Sequence, residues 1–374
     1  MRRRRLASPV LAPPQAANDP LAIANLRAWR VREPDSGRRY TIVKVESRGG
    51  AFGYGEGGPA KADDIQEAKA AMAGRRATAL EFVRSSFSKL PAIEAAVGNA
   101  LIDLMARKTG VPIYQYLGGP TRFKARLLAQ LDPAADTSLG PALERAKARG
   151  FQVFTLPVPP RQAMTRLQAY VDLVRQHVAD FKKLAGGEAE MVLDGGGALL
   201  PGDAAVLARA LEGAHPIWFD EPTGVLTTDA LSRFTDETVM PVGLGRSIHD
   251  IATFQNLLRF GSVDILRPSL ALNSLQKIRR MAAVAETHYV AMAPYHDGGP
   301  VATQFGIQLA ATLPNFFIQQ VPIPVSQRDA AMRADLLGGV AETAKDGFAP
   351  LINQPGLGVR IDEQALGRYS EGVV

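Results

Sequence analysis

The chain has 374 residues, of which 46% are hydrophobic and 21% charged. This is an ordinary globular composition on a chain too long for one small core. Its formal net charge is +6, but Arg2 to Arg5 supply four of those charges, and without them 39 basic residues face 37 acidic ones; so balanced a body argues against a nucleic-acid partner. There is no cysteine, which excludes disulfides, thiolate nucleophiles and cysteine-bound zinc, and no apolar run reaches the ~18 residues that a membrane helix requires.

The first 23 residues are Arg-rich and then Pro/Ala-rich, and a disordered tail is expected there. An export signal would need an apolar stretch after the arginines, and Pro9, Pro13 and Pro14 interrupt it. A cytoplasmic location is therefore expected, with export as the minor alternative. Leu26–Val31, Tyr40–Glu46 and Phe52–Gly57 are predicted strands, the first two separated by the turn signal Asp35-Ser36-Gly37. Helices predicted over 65–73, 77–90 and 92–108 would cover one face of that meander. The third carries the apolar stripe Ile93, Ala96, Val97, Ala100, Leu101, Leu104 and Met105, and Gly110 with Pro112 stops it.

From about residue 125 short apolar runs alternate with helical segments. Eight runs qualify as buried strands: 126–131, 151–158, 191–193, 217–219, 242–244, 263–266, 289–293 and 316–319. Strand–helix alternation of this kind predicts a parallel sheet, and eight strands predict closure into a barrel. Polar residues follow the runs directly, namely Asp194, Asp220, Glu221, Arg246, Ser269, Tyr295, His296 and Gln320. In a barrel these carboxyl ends converge on one mouth, where chemistry is found. The run Gly195-Gly196-Gly197 lacks the lysine and helix context of a phosphate loop and is expected to be a flexible loop. His177, His215, His249 and His288 fall in or beside helices and are expected at the surface.

Several stretches resemble the enolase superfamily, in its mandelate-racemase/muconate-lactonizing-enzyme-like branch. They are Gly53-Tyr54-Gly55-Glu56, the run from Ala96 through Gly119, Trp218-Phe219-Asp220-Glu221-Pro222, Ala293-Pro294-Tyr295-His296-Asp297-Gly298-Gly299-Pro300 and Pro355-Gly356-Leu357-Gly358. The resemblance runs from about residue 24 to 366 and is nearest in feel to the sugar-acid dehydratases of the galactonate dehydratase type. It implies an α/β chain with an α+β capping domain over a modified TIM barrel of (β/α)7β type. The capping domain is expected at 24–120, completed by 350–374, and the barrel at 121–349. The resemblance also implies a homo-oligomer and a small carboxylate as ligand.

Such sites hold one magnesium ion on three carboxylates, and a lysine pair or a His–Asp pair moves the proton. Carried over residue by residue, the resemblance places two ligand positions on Asp194 and Asp220, with Glu221 adjacent, and the third on Arg246. The lysine positions fall on Thr155 and Pro157, the histidine on Tyr295, its aspartate partner on Ser269 and a terminal glutamate on Gln320. An arginine supplies positive charge where magnesium needs an oxygen ligand, so no cofactor is expected, and the Arg246 guanidinium is expected to bridge Asp194 and Asp220. Tyr295 and His296 are the remaining candidates for proton transfer, His296 reaching the mouth only if its strand has already ended. Arg246, Ser269, Thr155 and Gln320 are the substrate-binding candidates. Three readings stay open: an altered lyase or isomerase acting on a sugar-acid-like carboxylate, a non-catalytic binding or regulatory descendant, and a magnesium-dependent dehydratase or racemase.

Overall fold

The computed structural model describes residues 19–131, 139–162 and 164–374. Most of the expected tail, residues 1–18, lies outside them. Residues 19–23 of that tail are ordered: the Leu21 amide donates to Asp19 Oδ1 at 2.9 Å, Ala22 is fully buried, and Ile23 opens the first strand.

β1 (Ile23–Arg32), β2 (Arg39–Ser47) and β3 (Phe52–Gly57) form an antiparallel meander. Helices α1 (Ala62–Met72), α2 (Leu80–Ser86) and α3 (Pro91–Thr109) cover one face of it. Leu26, Ala28, Val43 and Val45 pack toward these helices, whereas Trp29, Val31, Tyr40 and Ile42 on the opposite face join the continuous core that extends through the barrel. The alternation Gly53, Gly55, Gly57 has a direct cause. Residues two apart in a strand share a face, and a Cβ on these three would lie 2.2 Å from Leu104 N, 2.0 Å from Ala96 O and 2.0 Å from Ala92 O. The backbone of α3 thus rests on the strand itself, which only glycine permits. The fourth strand of this sheet comes from the far end of the chain, where β13 (Ser370–Val373) pairs with β1.

After the short helix α4 (Ile113–Tyr116) the eight predicted barrel strands all appear. They are β4 (Lys124–Gln130), β5 (Val153–Pro157), β6 (Glu190–Asp194), β7 (Phe219–Asp220), β8 (Val242–Leu244), β9 (Ile265–Leu266), β10 (Ala291–Met292) and β11 (Gln319–Pro322). Their spatial order is sequential from β4 to β10, all parallel, with β11 on the other side of β4. Amides of Phe317 and Gln320 donate to Met292 O at 2.8 Å and Pro294 O at 3.2 Å, which closes the seam between β10 and β11. Seven helices make the crossovers: α5 (Leu139–Ala148), α6 (Leu167–Ala185), α7 (Pro201–Leu211), α8 (Thr228–Glu237), α9 (Ile251–Arg259), α10 (Leu275–Glu286) and α11 (Pro300–Ala310). α12 (Gln327–Leu336), β12 (Phe348–Pro350, antiparallel to β4) and α13 (Glu363–Tyr369) lead back to the cap. This is an α/β chain with an α+β cap and a (β/α)7β barrel. Among the described residues no helix is long and apolar enough to cross a membrane.

Leu128, Val153, Val192, Trp218, Ile265, Ala293 and Ile318, each in or directly beside one of seven barrel strands, form a separate apolar cluster. Because a strand returns to the same face every two residues, the next tier up on the same face is Thr155, Asp194, Asp220, Arg267, Tyr295 and Gln320. A polar tier thus stands directly on an apolar one.

Candidate functional site

Two arginines hold this polar tier together. Arg246 Nη2 lies 2.9 Å from Asp194 Oδ2 and also contacts Asp220 Oδ2. Arg267, which sequence reasoning passed over, is fully buried. Its Nε donates to Asp220 Oδ1 at 2.9 Å, its Nη1 to Ala293 O at 2.8 Å, and its Nη2 to Gln320 Oε1. The Tyr295 ring lies against both cations, 4.6 Å from the Arg246 guanidinium carbon and 5.7 Å from that of Arg267. The Trp218 ring lies 5.2 Å from Arg267.

Gly243 makes room for this arrangement, since a Cβ there would stand 2.5 Å from Trp218 and 2.7 Å from Asp220 Oδ1. Gly245, at φ 127°, then takes the chain through a conformation that favours glycine and delivers Arg246 to the mouth. Glu221 anchors that turn, its Oε1 accepting from the amides of Gly245 at 2.7 Å and Arg246 at 2.8 Å.

The electrostatics follow from this pairing. Burial pushes the Asp220 carboxyl up, but Arg246 and Arg267 outweigh it and hold Asp220 below the usual range. Burial works against the Arg246 charge, yet Asp220 and Asp194 fix it as a cation. Burial pushes Arg267 down, with Asp220 opposing, and raises Glu221, with the Asp220 charge adding to the rise. Burial, helped by Asp297, lifts Tyr295 well above the usual phenol range, so its hydroxyl keeps its proton at neutral pH.

These residues do not fit a magnesium centre. Each of the four aspartate oxygens already faces an N–H donor: Asp194 Oδ1 accepts from the Gly196 amide at 2.9 Å, Asp220 Oδ1 from Arg267, and both Oδ2 atoms from Arg246. An octahedral cation needs free oxygen lone pairs. Among the described residues no group of three or more His, Cys, Asp or Glu is arranged to hold a metal.

Other candidates lie elsewhere or are already engaged. His296 does not reach the mouth. It is fully buried on the opposite side of the chain from Tyr295, with Nε2 3.0 Å from Thr303 Oγ1, because neighbouring residues in extended backbone point apart. Burial pushes it down to about 3, with Arg333 adding to the effect, so it is neutral at pH 7. Thr155 Oγ1 accepts from the Leu131 amide at 3.0 Å and ties β5 to the end of β4. Ser269 Oγ accepts from the Ala271 amide at 3.2 Å, and Gln320 is fully buried on Arg267. Thr155 and Ser269 thus each accept a backbone amide, while Gln320 meets Arg267 through Oε1 and keeps its Nε2 without a partner. His215 and His288 are exposed, and His177 and His249 are half-buried.

Residues 140–365 match the family described as Enolase C-terminal domain-like. D-galactonate dehydratase of Ralstonia pickettii (strain 12J) is 27% identical over 343 residues, covering 87% of this chain and 89% of its own. D-galactonate dehydratase of Variovorax paradoxus (strain S110) is 25% identical over 362 residues, covering 92% and 94%. In structure, an enolase from Agrobacterium radiobacter with bound sodium and L-malate superposes with a TM-score of 0.83 at 22% identity, covering 93% of this chain and 95% of the other. A mandelate racemase/muconate lactonizing enzyme-like protein from Rubrobacter xylanophilus DSM 9941 gives 0.81 at 24% identity, covering 95% and 99%.

Proposed function

Because the chain belongs to the Enolase C-terminal domain-like family, we propose that it takes a small sugar-acid-like carboxylate at the mouth of its barrel and holds it on Arg246, without a divalent metal. One observation carries this reading. Arg246 Nη2 is tied to two aspartates, and the side chain remains 14% exposed at the mouth. A guanidinium fixed in place and still open to solvent is preorganised for a carboxylate. The L-malate in the Agrobacterium radiobacter enolase and the galactonate dehydratases among the relatives support the ligand class.

Those relatives also favour a second reading, a sugar-acid dehydratase of conventional magnesium type. Against it stand the engaged aspartate oxygens and the protonation of Tyr295, which suits hydrogen-bond donation rather than proton abstraction. If the altered site turns substrate over, Tyr295 is the group nearest the guanidinium pair to supply a proton. If it does not, the protein is a binding member of its family.

Calorimetric titration with D-galactonate and other aldonates, in EDTA and again in magnesium, tests the two readings. Binding in EDTA that weakens about tenfold or more in Arg246→Met is expected, since a charge-assisted hydrogen bond contributes ~1.5–3 kcal/mol. Binding that needs magnesium and survives Arg246→Met, with release of a 2-keto-3-deoxy acid, would establish the dehydratase instead.

A further inference from the structure

A second polar cluster lies between the cap and the barrel, and every group in it is fully or nearly fully buried. From the cap come Glu33, Arg38, Tyr40 and Glu56; from the barrel side come His296, Thr303, Arg333 and Glu342. Arg333 is the hub. It contacts Glu33 Oε1 at 2.5 Å and Glu342 Oε2 at 2.5 Å, and donates to Gly298 O at 2.9 Å. Arg38 lies 3.4 Å from Glu33 and donates to Ile323 O at 3.2 Å. Both arginines thus serve Glu33, Glu342 and backbone carbonyls.

Glu56 is placed differently. Its hydrogen-bond donors are two barrel amides, Gly299 N to Oε1 at 2.5 Å and Ala302 N to Oε2 at 3.0 Å. Among the described residues no arginine is recorded in an ion pair with it. A fully buried carboxylate with no cation in contact favours its neutral form. His296 stands on the far side of Gly298 from it. Arg333 holds Glu342 below the usual carboxylate range against the opposing effect of burial, so Thr303 Oγ1 donates to Glu342. Thr303 Oγ1 must then accept from His296 Nε2–H, which leaves Nδ1 as a bare acceptor. That Nδ1 is buried without a partner, as is the Tyr40 hydroxyl. The Gly298–Gly299 segment separates these groups: a Cβ on Gly298 would sit 2.6 Å from Glu56 Oε1 and 3.9 Å from His296 Nδ1, and one on Gly299 would sit 2.3 Å from the Tyr40 ring.

We propose that this seam is a proton-operated latch: one proton carried by Glu56 keeps the cap seated on the segment 296–302, and its loss releases that segment. The groups that act on Glu56 are Glu342 and Arg333 from the barrel's C-terminal side and Tyr40 from β2, which also meets Glu33; His296 beyond Gly298 is neutral, and Asp297 is exposed. Arg149 meets the cluster only at the far side, through Glu342 O at 3.4 Å. An unprotonated Glu56 would be a third buried carboxylate among two arginines already paired. In agreement, burial pushes Glu56 up to about 8, against the pull of its two amide donors and Arg333.

Hydrogen exchange read by mass spectrometry on the full chain from about pH 6 to pH 10 tests the latch. After correction for the intrinsic base-catalysed rate, the peptides spanning 291–303 and 52–58 of the natural protein should exchange faster as pH rises from 6 toward 8, by up to about tenfold per pH unit, and level off above about 8, where the closed and released forms are both ionised. Glu56→Gln, which cannot ionise, should be flat. A flat natural protein, or a step that persists in Glu56→Gln, overturns the proposal. Should that variant fail to fold, infrared spectroscopy of the natural protein decides: a protonated-carboxyl band present at neutral pH and lost as pH rises past about 8 supports the latch, and its absence at neutral pH overturns it.

Discussion

The barrel mouth and the cap–barrel seam are both buried charge clusters built around arginine, yet they are balanced differently. At the mouth Arg246 and Arg267 answer three of the four oxygens of Asp194 and Asp220, and Asp220 is driven below the usual carboxylate range. At the seam Arg333 and Arg38 answer Glu33 and Glu342, leaving Glu56 with amide donors alone, and Glu56 is driven up. Burial acts the same way on both carboxylates; contact with a guanidinium decides the sign. The mouth is therefore a fixed charge pattern, suited to hold an anion, while the seam retains a group that titrates near neutral pH.

The largest effect on this contrast is expected from Arg267→Met. It removes a fully buried guanidinium and leaves Asp220 Oδ1, Gln320 Oε1 and Ala293 O without their donor. A loss of ~3–5 kcal/mol is expected, seen in a thermal melt as a fall of roughly 10 °C. A melt unchanged within a degree would mean that the mouth is not held by its arginines.

Arg246→Met should cost less, about 2 kcal/mol, because Arg267 continues to neutralise Asp220 and water reaches the mouth. The pH dependence carries the sharper signal. Asp220 has a folded pKa below its unfolded one, so its contribution is present above the unfolded pKa and is lost as pH falls through the folded value. The variant, with Asp220 shifted upward, should show a shallower loss of stability on acidification than the natural protein. Identical acid limbs in denaturant melts would separate Arg246 from Asp220.

The smallest effect belongs to His296. Its folded pKa, about 3, lies below the ordinary value of 6.5, so the neutral form is favoured on folding. Its stabilisation is complete above the unfolded value and declines as pH falls from there toward 3. His296→Gln should flatten that limb by roughly 1–2 kcal/mol at mildly acidic pH, measured as the slope of stability against pH rather than as an absolute loss. An unchanged slope would place His296 in contact with water and weaken the account of the seam.

The sequence by itself determined the architecture. The eight apolar runs appear as the eight strands, and the helices predicted over 65–73, 77–90 and 92–108 appear with boundaries shifted by a few residues, because strand-to-helix alternation and the 3.6-residue stripe are local signals. α12 has low hydropathy and little apolar stripe to announce it, whereas α8 carries one in the buried Leu231 and Phe234. The convergence of Asp194, Asp220, Arg246 and Tyr295 was also legible, since residues at the carboxyl ends of barrel strands must meet. Arg267 could have been found the same way, two residues beyond inward-facing Ile265, but in sequence it reads as the end of an apolar run. Tertiary structure alone decided which of the polar residues were open and which engaged. Thr155 is taken by Leu131, Ser269 by its own turn and Gln320 by Arg267. Nor could local pattern reveal the seam, where Glu33 meets Arg333 across 300 residues and Glu56 meets Gly299 across 243. A charge's partner is fixed by packing between distant elements, and a residue's protonation is fixed by that partner, so the chemistry of both clusters becomes visible only once the cap has closed on the barrel.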